Sequence, residues 1–498
     1  MMNATKHLLT ALLLGGALPA TAIFAQTLVQ PVDSRQTATP AQAAPAPAKP
    51  RGRAPLTPAE LGETYPTATH PATGAQVAEW RRQMRRALFI PDPLPKIDPI
   101  TYSSFSPTPG VIAEKVSYRT EFGMRVPAVV YRPEHVDGRA PAIVVVNGHG
   151  ADKSSWYSWY TGILYAKAGA VVLTYDPIGE GERNDDHKDF TGEHDHRIDL
   201  PTLPARMGGL MVTDIMQAVS YLGERKDVDP KRIAVLGFSM GSFESTLAGA
   251  ADDRIHALLL DGGGDVDGPD GYWDKSNIMC QGGPYRALSF LGDRGAVLFT
   301  LSARRGSTFI INGTADTVVD IPEHGPEFFD GLRQRVIALN GSDKGVFTNY
   351  FDPGASHRPS WITRRAATWL NQQLQFPAWR HTDIDTLPVV SIGDWAKKID
   401  LPLSKSSQRL DRDAGIEAIA ADVPLLTVEQ TDVMPRAQWE QQKQQFVYAS
   451  WVKDAETAAG YPNGPPASST PVSAPAGQMI HATPATTPAP GAAPTATA

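Results

Sequence analysis

In Gly237-Phe238-Ser239-Met240-Gly241 a serine stands between two glycines, directly after the apolar run Ile233 to Leu236. The pattern predicts a strand that turns at once into a helix, so tightly that side chains at Gly237 and Gly241 would collide. Such a turn holds the Ser239 hydroxyl out at the end of the strand. A hydroxyl is a poor nucleophile at neutral pH until a base takes its proton. Two later residues could complete that chemistry: Asp316 in INGTADTVVD, after the apolar TFII, and His357 in FDPGASHRPS, after VFTNYF. The imidazole would accept the serine proton, and the carboxylate would fix its tautomer and stabilise its charged form.

These residues need elements that bring them to one edge. VIAEKVSYRT and RVPAVVYRP read as an antiparallel strand pair, and APAIVVVNGHG as a buried strand ending in glycines. Residues 156 to 168 suit a helix, AVVLTYDPIGEGE another buried strand, and about Pro204 to Arg225 a helix. In that helix Met207, Met211, Ile215, Ala218 and Leu222 recur at helical spacing. RIAVLGFS, IHALLLDGGG, STFIINGTAD and VFTNYFDPGASH supply further strands with helical stretches between them. Apolar runs without alternation mark strands covered on both faces. Strands alternating with helices imply an α/β fold, a doubly wound and mostly parallel sheet with helices on both faces. Catalytic groups on such sheets gather at the carboxyl ends of the strands, where Ser239, Asp316 and His357 all fall.

The span from about Trp80 to Leu374 resembles an α/β-hydrolase. It is most similar to the secreted acetylxylan-esterase-like and dienelactone-hydrolase-like branch, through VVVNGHGADK, YDPIGEGER, DIMQAVSYLGERKDVDPKRIAVLGFSMG, FIINGTADTVV and GASH. The VDPKRI…GFSMG run is also similar to the catalytic domains of prolyl-oligopeptidase-type serine peptidases. Asn147 stands where the family usually has His, and Ser242 where it often has a second Gly. The resemblance implies a triad in the chain order Ser239, Asp316, His357. By motif position, backbone N–H groups of His149 and Met240 would form the oxyanion hole. No cofactor and no metal is expected.

Other residues admit competing readings. Asp261 ends the strand after the nucleophile helix, from which some hydrolases recruit their acid; Asp316 is the preferred assignment. Asp176 is expected to order its own loop through backbone hydrogen bonds. His187, His194 and His196 among acids invite a metal, but the segment reads as a solvated charged loop. DVDGPDG lacks the twelve-residue calcium-loop pattern. Cys280 reads as an unreactive thiol. Residues 262 to 306 are an insertion of the kind that forms a cap, where Tyr272, Trp273 and Tyr285 could line a substrate pocket or form the insertion's own small core.

Composition bounds the rest. The 498 residues carry a net charge of −7, with no clustered basic surface for nucleic acid. One cysteine excludes an internal disulfide. Residues 1–25 read as an export signal: Lys6, a short apolar run from Leu8 to Leu18, then small residues offering cleavage after Ala22 or Ala25. No other stretch is apolar enough to span a bilayer. Residues 26–75 read as a Pro/Ala-rich linker, 76–380 as the catalytic domain, 381–460 as an extension without a function, and 461–498 as a disordered tail. The expectation is an exported, periplasmic or extracellular serine esterase acting on a small-molecule or carbohydrate ester. The alternatives are a serine peptidase or a non-catalytic binding module on the same scaffold, and the oligomeric state is left open.

Overall fold

The computed structural model describes residues 68–188, 193–195, 202–266, 279–403 and 410–458. The signal segment, the tail, Tyr272, Trp273 and His196 lie outside the described residues.

Nine strands form one sheet: β1 Ile100–Thr108, β2 Val111–Arg119, β3 Arg125–Pro133, β4 Ala140–Val146, β5 Val171–Tyr175, β6 Val228–Phe238, β7 Ala257–Asp261, β8 Ser307–Gly313 and β9 Thr348–Asp352. Their order is β1-β2-β3-β5-β4-β6-β7-β8-β9. The pairs from β1 to β5 are antiparallel, and every pair from β5 through β9 is parallel. β4, β5 and β7 are buried along their whole lengths, as unalternated apolar runs require. The predicted antiparallel pair is β2 and β3. β1, rich in serine and mostly outside the core, escaped notice for want of an apolar pattern.

Helices cover both faces. On one face α1 Gly74–Ala87, α3 Leu203–Glu224, α4 Met240–Ala251, α6 Arg294–Ala303 and α7 Ile321–Asn340 contribute to a single apolar core. On the other, α2 Trp156–Lys167 and α8 Arg364–Leu374 form a second core. The five apolar positions singled out in α3 are all buried. α5 Met279–Ala287 lies in the stretch read as an insertion.

The segment beyond residue 380 is built into this second core. Val389–Ser391 pairs antiparallel with Glu417–Ile419. Trp395 packs its ring against Tyr160 and Trp156 of α2, at centroid distances of 4.9 and 5.8 Å. Tyr160 Oη donates to Ile419 O at 2.8 Å, which ties α2 to the added strand. No described helix is long and apolar enough to cross a membrane.

Candidate active site

Ser239 sits between the last residue of β6 and the first of α4, at φ 55° and ψ −118°. A positive φ on a residue with a Cβ costs of order 1–3 kcal/mol and needs support from its surroundings. Support comes from both sides. Ser239 N donates to Asp261 O at 2.9 Å, and Ser239 O accepts from Ser242 N at 2.9 Å. The predicted collisions are real, and they are with backbone. A Cβ on Gly237 would lie 2.2 Å from Gly241 O, and one on Gly241 would lie 2.2 Å from Val146 O. The turn is thus wedged between β6 and β4.

β4 has β5 on one side and β6 on the other, so the chain reverses its direction of travel across the sheet there. Such a reversal opens a crevice at the carboxyl ends of the strands. The loop after β4 runs into it: a Cβ on Gly148 would come within 3.0 Å of Ser239 Cβ. Asn147 is buried and structural. Its Nδ2 donates to Tyr175 O at 3.0 Å, and its Oδ1 accepts from Ser158 Oγ at 2.6 Å.

The loops after β8 and β9 bring Asp316 and His357 together, with 2.7 Å between His357 Nδ1 and Asp316 Oδ2. Asp316 is fully buried, and its other oxygen accepts from Val318 N at 3.0 Å. The His357 ring lies on Phe238, the residue before Ser239, at a centroid distance of 4.8 Å. It is closed in from behind by Gly262, where a Cβ would meet His357 Cε1 at 2.8 Å. Since Nδ1 carries the proton given to Asp316, Nε2 is the basic nitrogen. Among the described residues neither His357 Nε2 nor Ser239 Oγ makes a hydrogen bond, and neither do the backbone N–H groups of His149 and Met240. Four groups of the kind that acyl transfer requires therefore remain unbonded around one crevice.

Asp261 is occupied differently. It is buried, its carboxylate accepts from Ser360 N, and burial pushes its pKa well up. It holds the segment that follows His357 and makes no contact with the imidazole that would replace Asp316. Asp176 orders its loop as expected, accepting from Lys153 N at 3.1 Å and Glu182 N at 2.9 Å.

The histidine-rich segment departs from expectation. His194 is fully buried, its ring stacked on His149 at 5.3 Å, because Gly179 and Ile178 close over it. Burial drives its pKa down to about 4. Asp195 Oδ1 faces both His149 Nε2, at 3.2 Å, and Cys280 Sγ, at 3.1 Å. Burial pushes the Asp195 pKa up, but the His149 hydrogen bond and its neighbours reverse this and hold it below the usual carboxylate range. Burial raises the Cys280 thiol. His187 is half-buried against Trp439, 3.2 Å from Asp432. Tyr285 is fully buried against Phe243, with Arg294 3.9 Å over its ring, so it belongs to the core and not to a pocket wall.

Two features carried no sequence signal. Lys153, four residues after His149, is fully buried, with its ammonium 2.6 Å from Asp176 and 2.8 Å from Glu182. From beyond residue 380, Arg412 reaches to 5.6 Å from the Phe238 ring, and Asp413 accepts from Trp156 Nε1 at 3.3 Å. Arg412 and Asp413 come from the region with no recognisable motif.

The sequence profile described as "Alpha/beta hydrolase family" matches residues 143–440, more than half of the chain. YtaP of Bacillus subtilis (strain 168), whose hydrolase assignment is itself provisional, is 28% identical over 141 residues, covering 27% of this chain and 47% of that protein. The thiohydrolase apmlB of Arthrinium phaeospermum is 28% identical over 148 residues, covering 30% of this chain and 42% of its own. The chain thus spans under half the length of these two relatives. Among solved structures, the methylesterase BT1017 superposes with a TM-score of 0.53 at 19% identity, covering 81% of this chain and 78% of its own, a likeness of fold.

Proposed function

Because the chain belongs to the alpha/beta hydrolase family, we propose that it is an exported serine hydrolase that cleaves carboxylic esters through an acyl-enzyme intermediate. The observation that carries this reading is the His357–Asp316 contact of 2.7 Å beside a serine held at φ 55°. In the proposed reaction Ser239 Oγ attacks the ester carbonyl carbon as its proton passes to His357 Nε2. The carbonyl oxygen becomes an oxyanion and receives the N–H groups of His149 and Met240. Losing one such donor typically costs about 10²–10³ in rate. His357 returns the proton to the departing alkoxide, which leaves as the alcohol and strands the acyl group on Ser239. Water then attacks, again giving its proton to His357, and the tetrahedral species collapses to the carboxylic acid and free Ser239. Asp316 stays ionised throughout and stabilises the imidazolium.

The ester class rests on the motifs that resemble acetylxylan-type esterases, and the small acyl group on the crowding around Ser239, where Gly148 and Gly262 press against the pair. Export rests on residues 1–25. The test is a substrate series: acetylated sugars, nitrophenyl esters from acetate to octanoate, and peptide amides. The expected result is the highest kcat/KM for acetyl esters. A buried methylene is worth about 0.8 kcal/mol, so a long pocket would reveal itself as a rise of about fourfold per carbon. Such a rise would overturn the short-acyl assignment, and faster turnover of amides than of esters would replace the esterase with a peptidase.

A further inference from the structure

Three segments far apart in sequence converge beside the glycine-rich loop: His149 from the loop after β4, His194 and Asp195 from the turn Glu193–Asp195, and Cys280 from α5. Their ligand-type atoms all lie within 4.8 Å of one another. The separations are 3.1 Å for Cys280 Sγ to Asp195 Oδ1, 3.2 Å for His149 Nε2 to Asp195 Oδ1, 3.3 Å for His149 Nε2 to Cys280 Sγ, and 3.8 Å for His194 Nε2 to Asp195 Oδ1. Around a tetrahedral zinc ion with bonds of about 2.0–2.3 Å, such donors stand about 3.3–3.6 Å apart.

The orientation of His194 points the same way. Its Nδ1–H donates to Ile178 O at 2.7 Å, the kind of backbone contact that fixes the tautomer of a metal-binding histidine. That leaves Nε2 as a bare lone pair, fully buried, with no hydrogen-bond partner and aimed at a carboxylate. Hydrogen bonding alone does not account for this arrangement. A thiol–imidazole–carboxylate relay is also excluded by the geometry, since it needs one ring nitrogen for the thiol and the other for the acid. Here His149 Nε2 faces both. The second acid–histidine group, Glu182, His187 and Asp432, already holds a cation, for the Lys153 ammonium lies 2.8 Å from Glu182 and 3.8 Å from Asp432.

We propose that His149, His194, Asp195 and Cys280 form a four-ligand site for a zinc-class transition metal. A thiolate with two imidazoles and a carboxylate suits Zn²⁺ and not the oxygen-seeking Ca²⁺ or Mg²⁺. On binding, the Cys280 S–H bond breaks, its proton leaves to solvent, and the sulfur lone pair joins the metal. Four protein ligands close the coordination sphere, so the role is structural: the ion ties the glycine-rich loop to the 193–195 turn and to α5. This replaces the expectation of a solvated loop, an inert thiol and no metal.

The test uses the full chain, stripped with a chelator, reloaded with Zn²⁺ or Co²⁺ and desalted. The expected result is one zinc per chain by mass spectrometry, a higher melting temperature, and a cobalt–thiolate charge-transfer band in the cobalt form. Cys280→Ser should abolish that band, His194→Ala should weaken affinity more than about tenfold, and His187→Ala should leave both unchanged. Wild-type protein that retains no stoichiometric zinc and shows no thiolate band overturns the proposal whether or not the variants fold. A band that persists in Cys280→Ser overturns it equally.

Discussion

Two buried clusters, each pairing carboxylates with a basic side chain, flank the glycine-rich loop after β4. In one, Asp316 holds a single nitrogen of His357, and the other nitrogen stays unbonded. In the other, Asp176, Glu182 and Asp432 surround the Lys153 ammonium at 2.6, 2.8 and 3.8 Å. Burial opposes the charge on Lys153, but the three carboxylates outweigh it and raise its pKa well above the usual range. One ammonium cannot neutralise three carboxylates, and burial raises Glu182. Asp432 finds a second partner in His187. Both clusters are buried, yet they differ in how their basic group is held: His357 through one ring nitrogen, Lys153 among three carboxylates. Both leave an atom unbonded, and what separates them is which one: a ring nitrogen of His357 in the first, and in the second Glu182 Oε1, a buried carboxylate oxygen beside an ammonium already held by its neighbours.

That contrast can be broken at either cluster. Asp316→Asn should lower kcat by about 10⁴, by favouring the wrong tautomer of His357, and should leave melting behaviour near that of the parent. Asp261→Asn, which alters a backbone fastening, should cost far less in kcat. Steady-state kinetics with both variants decides between them. Reversed penalties would move the acid to β7.

Lys153→Met should do the opposite. Removing one partner of a buried ionic cluster leaves uncompensated charge and costs about 3–5 kcal/mol of stability by denaturant unfolding. The kcat of the surviving folded fraction should fall much less than in Asp316→Asn. In the parent the sign of the pH effect follows from the raised lysine pKa. The stabilisation is complete below the ordinary lysine range and is lost as pH climbs through the folded value. An early loss, near neutrality, would contradict the cluster as described.

How much of this could be read from the chain depends on whether a residue type constrains its own surroundings. Gly237 and Gly241 do: only a backbone wedged against its neighbours demands glycine at both positions, so the turn was visible. Asp316 and His357 were singled out because each follows a recognisable strand: the apolar, buried β8 before Asp316, and the half-buried β9 before His357. Lys153 gives no such sign, because a lysine in a polar loop looks the same whether exposed or sealed beside Asp432, far downstream in the chain. His194 and Cys280 meet only after the fold is made, and His187, His194 and His196 among acids, matching no known ligand geometry, read as a solvated charged loop instead. The segment beyond residue 380 carries no motif, and its part in the second core depends on Trp395 and Ile419 meeting α2.

The central claim is that Ser239 is the activated nucleophile, and covalent labelling reads this out before any substrate is known. Folded wild-type protein treated with a fluorophosphonate and mapped by peptide mass spectrometry should carry the adduct on Ser239, with Ser239→Ala unlabelled and its turnover down by about 10⁶. An unmodified Ser239 in folded wild type, or near-wild-type turnover in Ser239→Ala, would contradict the account.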